Sequence, residues 1–155
     1  MTEIKELQTR PRLTENEKLQ SSFQRLSQLL EELRKKELPD ALIQQINGYI
    51  DTANQEKGEP KDLRKTIKKQ YSAIVKLIEK EMNLVPKNYY RNMWVGLGMT
   101  VFGMPIGLAL GSAVGNIGFL AIGLPIGMVI GIAIGTEKDK KAANEGRQLD
   151  LEYEL

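Results

Sequence analysis

The chain has 155 residues, with 22 basic and 20 acidic side chains and neither cysteine nor histidine. Those two absences exclude a disulfide-stapled extracellular fold and any thiolate or imidazole metal site. A net charge of +2 is too balanced for a dedicated nucleic-acid binder.

Mean hydropathy is −0.33, a value typical of a soluble protein, but the polarity is segregated. Residues 1–91 carry 18 basic and 14 acidic groups, net +4, and residues 137–155 carry 4 and 6, net −2. Everything between is uncharged.

The chain opens on MTEIKELQTRPRL, which lacks the apolar run of a signal peptide. Residues 1–13 are expected to be disordered. Thr14-Glu15-Asn16-Glu17 reads as a capping box, threonine first and glutamate three residues on. Behind it, Leu19, Phe23, Leu26, Leu30 and Leu33 form the stripe of an amphipathic helix. Leu38-Pro39 ends that helix, because the residue before proline avoids helical geometry. Pro39 suits the first turn of a second helix, with Leu42, Ile43, Ile46, Ile50 and Ala53 on one side. Gly58 and Pro60 separate it from a third, Pro60 to about Met82, striped by Leu63, Ile67, Tyr71, Ile74, Ile78 and Met82.

Three amphipathic helices on short links predict an antiparallel three-helix bundle over residues 14–85. Its third helix carries Lys61, Arg64, Lys65, Lys68 and Lys69. The cluster reads as an anionic-lipid contact or, more simply, as a solvated face. An antiparallel bundle would put it at the end remote from a membrane.

Pro86 precedes the most informative stretch. Asn92 to Thr136 is 45 residues without a charge and holds eleven of the fourteen glycines. That is long enough for two membrane-spanning helices of about 20 residues each, predicted near 93–115 and 119–136. Gly115-Asn116-Ile117-Gly118 marks the turn. Both spans are apolar on all faces, which leaves no polar face for a soluble core helix to turn to water.

Lys87 and Arg91 precede the pair, and Lys138, Lys140 and Lys141 follow it. The positive-inside rule then puts both termini in the cytoplasm. Tyr89, Tyr90 and Trp94 sit where amphipathic rings favour the headgroup layer.

GMPIGLALGSAVG and GLPIGMVIGIAIG repeat the same pattern. Gly103, Gly107, Gly111 and Gly115, and then Gly123, Gly127, Gly131 and Gly135, make a groove on each helix for close backbone packing. Their mirror symmetry about Phe119 predicts level pairs Gly103–Gly135, Gly107–Gly131, Gly111–Gly127 and Gly115–Gly123. A second small-residue stripe, Pro105, Ala109 and Ala113 on the first span and Ala121, Pro125 and Ala133 on the second, lies about 200° around. Two close-contact faces per helix point to a homo-oligomer. Pro105 and Pro125 each lack a donor and are expected to bend their helices.

The remaining residues, 137–155, form a polar cytoplasmic tail. Within it, Leu149 to Leu155 alternates apolar and acidic residues as a half-buried strand does. With no second strand expected, it either frays or pairs with another subunit or a partner's sheet edge. No catalytic group, cofactor site or metal site is legible: Glu79 and Glu81 point to different helix faces, and no glycine-rich loop links a strand to a helix. The chain does not read as an enzyme.

The stretch VPKNYYRNMWVGLGM, the paired PIG motifs and IGTEKDKKAANEGRQLD resemble a group of uncharacterised bacterial glycine-zipper hairpin proteins, mainly from Bacteroidetes. The likeness covers about residues 84–150. It implies a variable helical N-terminal region before a two-helix transmembrane hairpin, and it implies no activity.

The expected fold class is therefore an all-α membrane protein, a cytoplasmic three-helix bundle followed by an antiparallel glycine-zipper hairpin over residues 86–136. The expected place is the bacterial inner membrane. Two functions fit: a self-assembling scaffold whose bundle binds a cytoplasmic protein, or an oligomeric pore or membrane-permeabilising effector gated by that bundle. Against a selective channel, the stretch from Met93 to Gly135 carries only Thr100, Ser112 and Asn116 as hydroxyl or amide side chains.

Overall fold

The computed structural model describes residues 3–8 and 16–153. The chain divides into two compact units that join in sequence between Leu84 and Val85.

The first unit contains α1 (Glu17–Arg34), α2 (Asp40–Gln55) and α3 (Pro60–Met82). Asn16 caps α1: its Oδ1 accepts from the Leu19 amide at 3.1 Å, satisfying one of the orphan donors of the first turn. Thr14 itself lies outside the described residues. Pro39 accepts the first backbone bonds of α2, from the Leu42 and Ile43 amides. Pro60 opens α3, and Asn83 closes it in the left-handed conformation at φ 53°.

α3 packs against both α1 and α2. Leu26, Leu30, Leu33, Ile46, Ile50, Ile67, Ile74 and Ile78 are almost completely buried. At about 1.5–3 kcal/mol for each such side chain, this apolar set is the unit's main source of cohesion. Phe23, Ile43 and Met82, expected in the stripes, are only half-buried, and Leu29 and Val75 fill core positions the stripes omitted. In the basic cluster Lys61, Lys65, Lys68 and Lys69 are exposed and Arg64 is half-buried.

Within the N-terminal stretch expected to be disordered, Glu3–Gln8 instead lies extended and hydrogen-bonded to α2. Only Ile4 of these six side chains is buried. The backbone bonds that hold the segment leave no periodicity in the sequence to read.

The second unit runs β1 (Val85–Lys87), α4 (Tyr89–Gly98), a π turn (Met99–Gly103), α5 (Met104–Val114), a 3₁₀ turn (Ile117–Phe119), α6 (Leu120–Asn144) and β2 (Gln148–Glu152). α4, the π turn and α5 form one continuous helical stretch that packs along α6. Two helices are long and apolar enough to cross a membrane, Tyr89–Val114 and Ile117–Asn144, with 26 and 28 residues. Only 17% of the most apolar window of each is buried, whereas the core helix of a soluble domain would be mostly covered.

The second helix does not stop at Thr136. Residues 137–144 contain no glycine or proline, so nothing breaks it until Gly146, where φ is +68°. The Arg147 amide then bonds back to the Ala142 carbonyl, closing the helix end.

The tail is also different from its expectation. β2 pairs in parallel with β1 of the same chain, with Val85 opposite Gln148 and Pro86 opposite Leu149. The expected need for a strand from outside the chain therefore disappears. β1 was illegible because it is only three residues long and contains proline, which is confined to sheet edges. β2 buries Leu149 and Leu151, and Tyr153 just beyond it, while Asp150 and Glu152 face outward.

Leu149 is 1% exposed, so Leu149→Ala is expected to loosen this clasp by roughly 2–4 kcal/mol. Amide exchange at Val85 and Tyr153, which donate to Arg147 and Lys87 carbonyls, would report it. Unchanged protection there would show that the strand pair does not depend on this side chain.

Candidate functional site

The glycines of the second unit meet across the helix pair. Gly103, Gly107, Gly111, Gly123, Gly127, Gly131 and Gly135 are all buried, in helices whose other residues are mostly exposed. A Cβ on Gly103 would stand 2.9 Å from the Gly123 carbonyl oxygen, and one on Gly107 would stand 2.7 Å from the Leu120 Cα. A Cβ on Gly127 would lie 2.6 Å from the Gly103 Cα, and one on Gly135 would lie 2.7 Å from the Tyr90 carbonyl oxygen. Real Cβ atoms do not come so close to backbone. The two helices touch main chain to main chain, which only glycine permits along such a stripe.

The register differs from the mirror pairing about Phe119. Gly103 faces Gly123 and Gly127, not Gly135; Gly107 faces Leu120 and Gly123; Gly111 faces Asn116; Gly131 faces Trp94 and Gly98; and Gly135 faces Tyr90 and Arg91. Gly115 faces nothing within 4 Å. It has φ +73° and ends α5 in the left-handed conformation. The physical reason lies in the turn. Asn116 caps the 3₁₀ turn through its Oδ1, which accepts from the Gly118 amide at 2.9 Å, and the opposing pairs centre about four to six residues before Phe119. A small shift of the fold point moves every opposing pair by twice that amount.

With Gly115 consumed by the turn, the fourth glycine of the first stripe is Gly98. Its Cβ would lie 2.7 Å from the Gly131 Cα. Gly98 is five residues from Gly103, a step that in an α-helix overshoots a full turn by about 140°. The π turn absorbs the extra residue: the Met104 amide bonds to the Met99 carbonyl, an i→i+5 bond. Pro105 follows directly at the start of α5, where its missing N–H costs no regular α bond to Val101. Pro125 lies inside an unbroken α6.

At the charged end of the pair sits a collar of polar contacts. Asp139 on α6 is only 6% exposed. Its Oδ1 accepts from the Tyr90 amide at 3.0 Å and its Oδ2 from the Arg91 amide at 2.8 Å. These are first-turn donors of α4, whose own N-cap residue, Asn88, makes no side-chain cap bond. Asn88 instead donates to Glu152 Oε2 at 2.6 Å. A carboxylate from one helix thus caps the other, where the helix dipole favours negative charge. Asn92 Nδ2 donates to the Tyr153 carbonyl at 2.8 Å, and Lys87 pairs with Asp150 across the strands.

The aromatic and basic residues expected at a membrane boundary gather at the same collar. Tyr89 packs edge-on against Tyr90 and Tyr153, with ring centroids 5.2 and 5.0 Å apart. Lys138 Nζ stands 5.9 Å from the Tyr90 ring and 5.8 Å from the Trp94 ring, within cation–π range. Arg91 contributes backbone to the Gly135 contact. Lys140 and Lys141 are exposed on the extension of α6. Gly98, Asp139, Asn88 and Asn92 are the residues that sequence reasoning missed, and only the five-residue offset of Gly98 left any trace in the pattern.

The second small-residue stripe takes no part in this pairing. Pro105, Ala109, Ala113, Ala121, Pro125 and Ala133 are all exposed. So are large apolar side chains around them, among them Val101, Leu108, Val114, Ile122 and Val129. Among the described residues there is no group of His, Cys, Asp and Glu able to hold a metal ion.

Comparison with protein-family models, with curated proteins and with solved structures finds no match. The functional reading rests on the geometry.

Proposed function

We propose that the protein is a membrane-embedded assembly module. In this reading the two long helices cross the bacterial inner membrane as an antiparallel hairpin, N-in and C-in. The hairpins associate side by side, and the N-terminal helices form a cytoplasmic three-helix bundle that serves as a scaffold or partner-binding head.

The observation that carries this reading is the division of labour between the two small-residue faces. The glycine face is used up inside the chain, backbone against backbone. The proline–alanine face and its aliphatic neighbours remain exposed, the kind of apolar surface that marks an interaction or membrane site. Lipid can cover the large side chains. The small ones leave shallow grooves in which a second helix packs closely.

The charged residues flanking the helices, and the aromatic rings beside Lys138, agree with a boundary at the collar. The Thr100 hydroxyl is already bonded to the Gly96 and Leu97 carbonyls of its own helix, at 3.2 and 3.1 Å. Its one donor is therefore satisfied within its own helix, as a hydroxyl facing lipid requires.

The test is donor–acceptor energy transfer between labelled copies reconstituted in liposomes. Ala109→Leu with Ala133→Leu should reduce transfer at least several-fold, because both fill the outer groove. Leu108→Ala, beside that groove, should have little effect. A protein that stays monomeric at every protein-to-lipid ratio would overturn the proposal. Dye release from the same liposomes would favour the permeabilising reading; none is expected.

A further inference from the structure

Two asparagines on α2 hold the extended segment Glu3–Gln8 in a repeating pattern. Asn47 Oδ1 accepts from the Lys5 amide at 2.8 Å, and its Nδ2 donates to the Glu3 carbonyl at 2.9 Å. One step on, Asn54 Oδ1 accepts from the Gln8 amide at 2.9 Å, and its Nδ2 donates to the Glu6 carbonyl at 3.1 Å. Each side-chain amide presents one acceptor and one donor to one stretch of main chain, as a neighbouring strand would.

The spacings match. Asn47 and Asn54 are seven residues apart, two helical turns, or about 10.5 Å along the axis. Lys5 and Gln8 are three residues apart, about 10 Å along an extended chain. A helix with asparagines at heptad spacing is therefore in register with every third residue of an extended peptide.

Arg34 on α1 flanks the segment from the other side. Its Nη2 donates to the carbonyls of Ile4 and Lys5, at 3.3 and 2.9 Å. All six of these contacts read backbone and none reads a side chain.

Sequence selection is left to two places. The Ile4 side chain is buried, and Lys5 Nζ reaches Asp51 at 2.7 Å. Glu3 and Ile4 also border a cleft lined by Leu33, Lys36, Leu38 and Ile43. One buried aliphatic side chain is a light apolar anchor. The rest of the hold is hydrogen bonding that water or another main chain can replace.

We propose that the Asn47–Asn54 face is a backbone-reading peptide groove, that Glu3–Gln8 is its detachable occupant in cis, and that its ligand in trans is an extended segment of a partner protein. That segment carries an aliphatic residue followed by a basic one, placed as Ile4 and Lys5 are, and free amides at the positions of Lys5 and Gln8. The inference deepens the assembly-module reading, on whose partner-binding head it rests, by giving that head a ligand chemistry. Release of the N-terminal segment is then the step that makes the head competent to bind.

The probe is a capped peptide of sequence EIKELQ, followed by fluorescence anisotropy against the full chain in nanodiscs. The wild-type groove is filled by its tethered copy, present at an effective concentration near millimolar. Ile4→Asp should expel that copy and tighten peptide binding at least tenfold. Removal of residues 1–8 should do the same, which covers the case in which Ile4→Asp disturbs the fold. Asn47→Ala in the released chain should weaken binding about tenfold, as should N-methylation of the peptide at its lysine and final glutamine, since each removes two of the hydrogen bonds that hold the main chain. A peptide keeping only the isoleucine and lysine side chains should bind within about threefold of the original.

The idea is overturned if released chains of unchanged helix content bind no peptide at millimolar concentration, or if the N-methylated peptide binds equally well. It is also overturned if wild-type and released chains bind alike. Energy transfer between hairpins is read separately in the same nanodisc or liposome samples. Failure of the groove would leave that signal intact, and failure of assembly would leave peptide binding intact.

Discussion

Gly127→Ala is expected to destabilise the helix pair by about 2–3 kcal/mol, although alanine is the better helix former. The new Cβ would meet backbone on two sides, 2.6 Å from the Gly103 Cα and closer still to the Gly103 nitrogen and the Gly98 oxygen. Backbone atoms have no rotamer to escape into. The helices must move apart, and the neighbouring close contacts at Gly123 and Gly131 loosen with them. Gly127→Leu should separate the pair altogether.

The decisive control lies on the opposite helix. Gly98→Ala should cost a similar amount, because its Cβ points at Gly131. Gly96→Ala, two residues away with nothing within 4 Å, should be neutral or stabilising by up to about 1 kcal/mol. An SDS titration of the protein in mixed micelles, followed by the fluorescence of its single tryptophan, Trp94, reads all four variants. The Trp94 carbonyl lies against Gly131, so the probe sits at the interface. Equal stability of the Gly96 and Gly98 variants would show that the observed register is wrong.

Asp139→Ala should be as damaging, at about 3 kcal/mol. It removes two charge-assisted bonds, to the Tyr90 and Arg91 amides, and leaves those donors without their cap. It also removes the negative charge from the positive end of the α4 dipole. Asp139→Asn should lose roughly half as much, because one oxygen can still accept while the new NH₂ group opposes the second amide. The same titration measures both. Lys140→Ala, on an exposed neighbouring residue, should change little. An Asp139→Ala protein as stable as wild type would mean that water or lipid headgroups satisfy those amides and that the collar is not structural.

These two predictions differ in how much of them the sequence contained. The glycines announced close packing on one face through their period of four, and the absence of charge over Asn92–Thr136 announced two apolar helices. The three amphipathic stripes before Leu84 announced α1, α2 and α3, because a helix must place its apolar residues every three or four positions to bury them together. Pro39 and Pro60 marked where α2 and α3 begin, because each fixes its own backbone angle and lacks a donor that a helix start does not use. Such features are local or periodic, and the backbone imposes them residue by residue.

What only the tertiary structure decided is pairing. A period of four is unchanged by a slip of four, so it could not choose among registers. The turn at Gly115–Phe119 chose, and a π turn then recruited Gly98 in place of Gly115. Asp139 sits among lysines as one charge in a run of charges, and nothing marks it as the cap of a helix that began about fifty residues earlier. β2 shows its alternation in the sequence, but β1 is too short to be recognised alone, so the pairing that makes each of them a strand could not be read. Glu3–Gln8 has no pattern of its own and is ordered by amides on α2. Hydrogen bonds between distant parts of the chain leave no period in the sequence, because they depend on where the fold carries each group and not on how often the group recurs.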